Sequence, residues 1–289
     1  MAGSLWNIET EKDFFIKAIT GGFASVKDLF YKFNKDFYAY IKNDQENNGQ
    51  TLQSRNSLIG NYTETWCENL LAPFARKMNL FAIKDVVCPE IGLSKQSSAD
   101  VAICTKNSKE QDAENIKLII EVKMSIVNNY QYINKRNITY IGDYKSHKGN
   151  PSLLRSDSML KAIGKSINIR VSGFSSATIP IIIIGNSPIT KSYVDKVDFL
   201  KKAGVIQGFF SINPDPTESD HIIETENKGF QTINDLRSFE QIIEDIIQTQ
   251  MNYFSSMISR HCLGEIIKVA SQEKNNIDKA EKFLELIRK

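Results

Sequence analysis

The feature that most constrains this sequence is an apolar run at residues 179–184, in which isoleucine fills five of the six positions. A run that is apolar at every position, and not at alternate positions, is typical of a strand whose two faces are both covered. Its six residues are also far fewer than the roughly twenty that a membrane-spanning helix needs. The run therefore predicts a central strand in a sheet that carries helices on both sides.

Patterns on either side of this strand predict an alternation of helices and strands. β-branched runs bounded by polar sequence indicate strands, and apolar residues spaced three or four apart indicate helices. The predicted elements are a helix at 61–78, strands at 80–87, 99–104 and 117–122, a helix at 153–169, the strand at 179–184 and a strand at 205–212. This order is typical of an α/β core.

The chain before this core is predicted to be helical. Apolar residues recur every three or four positions over 26–41, which predicts a helix with one buried face. Gly21 and Gly22 separate it from a shorter helix. The polar, aromatic-free stretch 42–57 predicts a surface loop, with a domain boundary near residue 58.

Beyond a proline-containing turn at 213–216, the sequence becomes helical again. Apolar residues at helical spacing predict a long amphipathic helix over 236–258 and another helix over 277–287. The predicted division is an N-terminal helical segment (1–58), a core (59–215) and a C-terminal helical segment (216–289). We expect the three to pack as one compact unit.

Composition limits the chemistry that these elements can carry. The 36 basic and 34 acidic residues leave a net charge of only +2, which excludes a strongly basic protein that coats nucleic acid. The four cysteines and three histidines lack the spacing of a zinc ribbon, a disulfide framework or a histidine metal site. The N-terminus lacks a basic stretch followed by an apolar one, so we expect a cytoplasmic protein with no membrane partner. Any catalysis falls to carboxylates and lysines.

The sharpest candidate for such chemistry lies at the end of the predicted strand 117–122. Glu121 and Lys123 are two residues apart, so their side chains share one face of a strand. Asp100 lies at the start of the preceding strand and could bring a second carboxylate to the adjacent strand end. Two close carboxylates repel each other unless a cation lies between them, and such oxygens suit Mg²⁺. The lysine could then lower the pKa of an attacking water or offset charge on a phosphate.

This arrangement resembles the PD-(D/E)XK nuclease superfamily. The tripeptides at 98–100 (SAD) and 121–123 (EVK) match the two halves of the family motif, with Ala99 where the family has proline. The family core is αβββαβ, a mixed central sheet flanked by helices, and the predicted order from 61 to 184 follows it. The resemblance implies a restriction-endonuclease-like core with helical N- and C-terminal additions.

The resemblance also implies a Mg²⁺ site and a role for each residue of the motif. Asp100 and Glu121 would hold the ion together with the main-chain carbonyl of Val122. Lys123 would orient or activate the water.

Family members often carry a further acidic residue on the first helix. Glu64 is the candidate here and would hold a metal-bound water or a second metal ion, with Glu68, one turn later, as the alternative. The helix sequence RSDSMLKAIGKSINIR and the later GNSPIT are similar to segments of type II restriction endonucleases. The resemblance then covers about residues 58–215 and implies Mg²⁺-dependent, sequence-specific hydrolysis of phosphodiester bonds in double-stranded DNA.

Two alternatives stay open at this point. Acid-x-Lys also occurs at 143–145 and 226–228, so Glu121 and Lys123 could be the exposed end of an ordinary strand. The chain would then be a non-catalytic α/β protein that binds DNA or another partner. Among enzymes, the alternative is a DNA repair or recombination nuclease of the same superfamily.

Positive charge is concentrated after the motif. Between residues 128 and 170, eight Lys and Arg residues oppose two Asp residues, which gives a local charge of +6. Such a segment can be a solvated surface or can contact DNA phosphates. The predicted DNA-binding residues are Arg136, Lys145, His147, Lys148, Arg155, Lys161 and Lys165.

The proposed site also predicts the assembly. One set of Asp100, Glu121 and Lys123 suits one scissile phosphate, whereas restriction breaks both strands. We therefore expect a homodimer on double-stranded DNA, whose twofold axis matches a palindromic target. A cognate DNA methyltransferase is expected in the same system, without binding this chain.

Overall fold

The computed structural model describes residues 5–46, 52–214, 221–249 and 259–288. The first part of the chain forms α1 (Ile8–Thr20), α2 (Val26–Leu29), β1 (Tyr31–Phe33), β2 (Asp36–Tyr38), α3 (Gln53–Lys77), β3 (Phe81–Val86), β4 (Ala99–Cys104), β5 (Ile116–Val122), β6 (Asn129–Asn134) and β7 (Asn137–Gly142). The second part forms α4 (Ser156–Val171), β8 (Ile181–Gly185), α5 (Val194–Lys202), β9 (Gly208–Ser211), β10 (Phe230–Thr232), α6 (Leu236–Gln248), α7 (Arg260–Ala270) and α8 (Asn276–Arg288). Within these residues, no helix combines the length and the apolar character needed to cross a membrane.

Six strands form one mixed sheet in the order β10-β9-β8-β5-β4-β3. β3, β4 and β5 are antiparallel neighbours, whereas β5, β8, β9 and β10 run parallel. α3 packs Leu70 and Leu71 on one face, and α4 packs Ile169 on the other. Every residue of β8 is buried, as expected for a strand covered on both faces. The predicted α/β fold with a mixed sheet flanked by helices is confirmed.

The segment predicted as a helix over 26–41 is instead one helical turn followed by a hairpin. α2 ends at Leu29, and the turn between β1 and β2 contains Asn34 with a φ of 54°. Asparagine tolerates this left-handed conformation, but a right-handed helix cannot continue through it. Phe37 of β2 meets Tyr132 of β6 edge to face, with ring centroids 6.4 Å apart. The aromatic residues that suggested a helix therefore belong to a second sheet, with the strand order β1-β2-β6-β7.

The boundary predicted near residue 58 falls inside a helix. α3 begins at Gln53 and not at Asn61, so residues 53–57 do not belong to a loop. The prediction failed because this first part of the helix is polar, although Arg55 is buried. A single core cluster joins side chains from all three predicted segments, among them Trp6, Phe15, Leu71, Ile120, Phe239 and Ile243.

The C-terminal helices begin near their predicted positions. α6 starts at Leu236 and ends at Gln248. The apolar residues that extended this prediction further, Phe254, Met257 and Ile258, lie outside the described residues. α8 matches the helix predicted at 277–287, whereas α7 was not predicted.

A buried carboxylate ties α1 to the chain after β5. Glu11 has no exposed surface, and burial raises its pKa against the effect of its hydrogen bonds. Its oxygens accept from five donors at 2.7 to 3.1 Å, namely Trp6 Nε1, the backbone N–H groups of Val127 and Asn128, the Asn128 side-chain amide and the Tyr130 hydroxyl. These bonds fix the segment that leads from β5 to β6.

Candidate active site

Two carboxylates meet where β4 and β5 lie side by side. Val101 pairs with Ile120 across these antiparallel strands, so Asp100 and Glu121 are neighbours. Asp100 Oδ2 accepts a hydrogen bond from the Val122 N–H at 2.8 Å, which fixes its orientation. The Glu121 side chain is only 5% exposed. The sheet therefore holds two acidic groups close together in a largely buried place.

Two lysines from different elements hold these carboxylates. Lys123 follows β5, and its Nζ lies 2.6 Å from Glu121 Oε1 and 3.4 Å from Asp100 Oδ2. Lys165 extends from α4, and its Nζ lies 2.7 Å from Glu121 Oε2 and 3.1 Å from Asp100 Oδ1. Each ammonium group thus bridges both acids. The four side chains form a group whose formal charges cancel.

This arrangement shifts the pKa values of its members. Burial alone raises the pKa of Asp100, but Lys123, Lys165 and the Val122 N–H outweigh it and hold this pKa below its ordinary value. Burial, reinforced by the charge of Asp100, raises the pKa of Glu121. Burial tends to lower the pKa of Lys123, but the two carboxylates raise it overall. Lys123 is therefore a cation in neutral solution.

The two candidate acids of α3 have different surroundings. Glu64 Oε2 lies 3.3 Å from Lys84 Nζ, and burial together with the charge of Asp100 raises the Glu64 pKa. Glu68 Oε1 instead accepts a hydrogen bond from the Lys84 N–H at 3.0 Å. Glu64 thus shares the electrostatic field of Asp100, whereas Glu68 ties α3 to the backbone of β3. Lys84 is the common partner of both acids, and no sequence pattern indicated this.

Backbone contacts hold Lys123 in place beyond the end of β5. The Lys123 N–H donates to Ile184 O at 2.7 Å, and Ser152 Oγ donates to Lys123 O at 2.5 Å. The Asn186 side chain accepts from Ser125 N at 3.1 Å and donates to Ser125 O at 2.7 Å. Asn186 lies within the GNSPIT sequence. Asn186 therefore holds the segment that follows Lys123 in place. The residue spacing in the sequence does not indicate this role.

A cleft of about 800 Å³ opens beside Val122 and Lys123. Its walls come from the first turns of α3, the start of α4 and the loop before α4. Five basic side chains line it, namely Arg55, Lys123, Lys148, Arg155 and Lys161, together with a single acidic one, Asp157. The excess of positive charge suits a polyanion that approaches the carboxylates.

Three of the predicted DNA-binding residues, Lys148, Arg155 and Lys161, line this cleft. Lys165 instead lies against the carboxylates. Arg136 lines a separate cleft with Glu9 and Asp13, because it belongs to the turn between β6 and β7.

The remaining two predicted residues are placed differently. Lys145 is exposed but does not line the cleft. His147 is buried, stacks on Tyr40 at 3.9 Å between centroids, and accepts at Nδ1 from the Gly149 N–H. Its Nε2 then donates to Val127 O, and burial lowers the His147 pKa. The prediction that His147 contacts DNA is wrong, because its ring is buried against Tyr40 and both of its ring nitrogens have hydrogen-bond partners within the protein.

Sequence reasoning missed Arg55 as a cleft residue. Only 5% of Arg55 is exposed, and its guanidinium donates to Leu29 O and Ala39 O. The guanidinium carbon lies 4.8 Å from the Tyr40 ring and 5.6 Å from the Tyr31 ring. No carboxylate pairs with Arg55 among the described residues, so its positive charge is not cancelled and can attract an anion to the cleft. Arg55 belongs to the polar stretch 42–57, which was predicted to be a surface loop, so the sequence did not indicate its place in the cleft.

The oxygen atoms of the site suit a hard divalent cation. Lys123 Nζ lies within 3.4 Å of Asp100 Oδ2, Glu121 Oε1 and Val122 O, so these three oxygens already surround one positive charge. Glu121 Oε2 is buried and accepts no well-directed hydrogen bond, although Lys165 is near. Within the described part of the chain, no three His, Cys, Asp or Glu side chains form a metal-binding group. A cation here would combine two carboxylates with the carbonyl and water, as Mg²⁺ accepts.

No family model, curated protein or solved structure matches this chain. The fold and the site define an α/β protein in which two acids and two lysines meet beside a basic cleft.

Proposed function

We propose that this protein is a Mg²⁺-dependent endonuclease that hydrolyses phosphodiester bonds in double-stranded DNA, as a type II restriction enzyme of the PD-(D/E)XK superfamily. The observation that carries the proposal is the meeting of Asp100, Glu121 and Lys123 at adjoining strand ends beside a basic cleft. A surface strand would leave such acids exposed and apart.

The order of the elements also supports the proposal. α3, the antiparallel strands β3 to β5, α4 and the parallel strand β8 occur in the order αβββαβ, with the hairpin β6-β7 of the second sheet inserted between β5 and α4. We propose on this basis that the core is restriction-endonuclease-like. The N-terminal helix, the second sheet and the C-terminal helices would be additions to that core.

Each residue of the site has a role in the proposed reaction. Asp100, Glu121 and the Val122 carbonyl would hold Mg²⁺, which lowers the pKa of a bound water and offsets charge on the phosphate. Lys123 remains an ammonium group, so it would orient the attacking water and stabilise negative charge as it develops on the phosphate. Glu64 would accept hydrogen bonds from water on the α3 side of the site.

The cleft would bind the DNA backbone. Lys148, Arg155 and Arg55 line it beside Lys123, so phosphates that contact them would lead the strand to the carboxylates. Tyr31 and Tyr40 contribute aromatic surface to the same wall. We propose that the protein acts in the cytoplasm, where a cognate methyltransferase would protect the host DNA.

The direct test is incubation of the protein with unmethylated DNA of genomic size. Mg²⁺ should produce discrete fragments, and EDTA should prevent their formation. A continuous smear would favour a repair or recombination nuclease. Binding that does not depend on Mg²⁺ and leaves the DNA intact would contradict the proposal and favour a non-catalytic DNA-binding protein.

A further inference from the structure

Lys165 contacts the two carboxylates that the proposed function assigns to Mg²⁺. Its Nζ lies 3.1 Å from Asp100 Oδ1 and 2.7 Å from Glu121 Oε2, and its side chain is 17% exposed. These oxygens are the ones that Lys123 does not touch. A positive charge from α4 therefore covers the side of the acid pair that faces away from Lys123.

The two lysines hold the acids unequally. Lys123 donates hydrogen bonds to three oxygens, those of Asp100, Glu121 and the Val122 carbonyl. Lys165 makes one well-directed hydrogen bond, to Asp100 Oδ1, and Glu121 Oε2 accepts none despite its short distance. Lys123 also belongs to a chain segment fixed by backbone bonds, whereas Lys165 reaches the acids with a flexible side chain. Lys165 is the easier of the two to displace.

The charges of the site give a reason for such displacement. Two carboxylates and two ammonium groups already cancel, so a divalent cation would leave the group with an excess of two positive charges. Departure of one ammonium group reduces this excess. Lys161 lies one turn earlier on the same face of α4 and lines the cleft. Rotation of the Lys165 side chain would thus carry its ammonium group towards the same cleft.

We propose that Lys165 is a displaceable counter-cation of the active site. It neutralises Asp100 and Glu121 in the metal-free protein, competes with the divalent cation for their oxygens, and moves to a phosphate of the substrate when both bind. The inference rests on the proposed function, because it requires both the cation and a phosphodiester. By thermodynamic linkage, DNA must then raise the affinity for the cation, and the cation must raise the affinity for DNA by the same factor.

The test measures Ca²⁺ affinity by isothermal titration calorimetry in the absence of DNA. Lys165→Met should bind Ca²⁺ at least about tenfold more tightly than the unaltered protein, since a competing charge is gone. Lys161→Met is the matched control and should change the affinity by less than about twofold, because Lys161 pairs with Asp157 and not with the acids. An unchanged or weaker affinity in Lys165→Met overturns the proposal.

A second measurement does not require that variant to fold. A double-stranded oligonucleotide should raise the Ca²⁺ affinity of the unaltered protein about tenfold, a coupling within the usual range for linked sites. Lys165→Arg keeps the charge and should retain this coupling. Absence of coupling in the unaltered protein contradicts the proposal.

Glu121→Gln separates failure of this inference from failure of the proposed function. Ca²⁺ binding that persists in Glu121→Gln shows that the carboxylates are not the metal site, and both proposals then fail. Loss of binding in Glu121→Gln, combined with unaltered affinity in Lys165→Met, leaves the proposed function standing and removes the role of Lys165. Absence of Ca²⁺ binding in every variant, Lys165→Met included, overturns both.

Discussion

Glu64 and Glu68 lie one turn apart on α3, and their contacts assign them different tasks. Glu64 lies within the field of Asp100, whereas Glu68 accepts a backbone hydrogen bond from Lys84. Glu64 therefore belongs to the edge of the candidate active site. Glu68 belongs to the packing of α3 against β3.

Replacement of these acids should separate catalysis from stability. Glu64→Ala should lower the single-turnover cleavage rate about tenfold, whereas Asp100→Ala, which removes a proposed metal ligand, should lower it at least about a thousandfold. Glu68→Ala should retain the rate and lower the melting temperature, because the partly buried Lys84 N–H loses its acceptor. Quench-flow cleavage and thermal melting measure both effects. Equal rate losses in Glu64→Ala and Asp100→Ala would make Glu64 a primary ligand.

Some residues of the candidate site could be predicted from the sequence, and others could not. Asp100, Glu121 and Lys123 could be found because strand alternation places residues two apart on one face. Lys161 and Lys165 lie one turn apart on α4, but helical spacing does not say what that face of the helix contacts. His147 looked like a surface residue because the Tyr40 ring that buries it lies 107 positions away in the chain.

Among the helices and strands, those specified by local sequence pattern were predicted correctly, whereas those that depend on pairing with distant strands were not. β4 and β5 were predicted almost residue for residue, because apolar, β-branched runs between polar loops specify strands locally. β1 and β2 were mistaken for a helix because their aromatic residues have helical spacing. β2 is a strand through its pairing with β1 and with the distant strand β6. Tertiary contacts overrode the local periodicity there.

α5 is attached to the loop before β10 by one carboxylate. Asp198 accepts hydrogen bonds from Thr225 Oγ1 at 2.5 Å, Gly229 N at 2.8 Å and Asn227 N at 3.0 Å. Partial burial alone would raise the Asp198 pKa, but these hydrogen bonds lower it below its ordinary value. The ionised form therefore stabilises the fold above the pKa of the unfolded chain. That stabilisation is lost as the pH falls through the folded pKa.

Asp198→Asn should accordingly lower the free energy of unfolding at pH 7 by about 1–3 kcal/mol, since hydrogen bonds to a charged acceptor are lost. The difference from the unaltered protein should shrink below about pH 4, where the aspartate of the unfolded chain is protonated. Urea unfolding at the two pH values measures it. A difference that stays constant with pH would show that the charge of Asp198 contributes nothing.

At the scale of the whole molecule, the basic cleft is the surface that should dominate DNA binding. Replacement of both Lys148 and Arg155 by Gln should lower the slope of log affinity against log salt by about 0.9 for each lost phosphate contact. Lys145→Gln is the matched control, because Lys145 lies outside the cleft lining, and it should leave the slope unchanged. Fluorescence anisotropy over a salt series gives these slopes. Equal slopes in all variants would exclude the cleft as the DNA-binding surface.

Because each chain carries one proposed site and both DNA strands must be cut, we expect the protein to act as a homodimer. We expect sedimentation equilibrium with DNA to give about twice the chain mass of 32.8 kDa, after the DNA mass is subtracted. A second copy would supply the site for the other strand. A strict monomer that nicks one strand at a time would contradict the dimer and leave the hydrolytic site in place.

The proposed role of Glu121 as a metal ligand is tested most directly by single-turnover cleavage of double-stranded DNA by Glu121→Gln in Mg²⁺, with DNA binding measured in Ca²⁺. The substitution removes one charge and keeps the shape of the side chain. The rate should fall at least about a thousandfold and the affinity for DNA should stay within about tenfold, since a metal ligand acts on the transition state more than on binding. Glu114→Gln alters an exposed side chain in the short helical turn before β5 and should cleave normally. Cleavage by Glu121→Gln at a rate near that of the unaltered protein would contradict the metal-dependent mechanism proposed for this site.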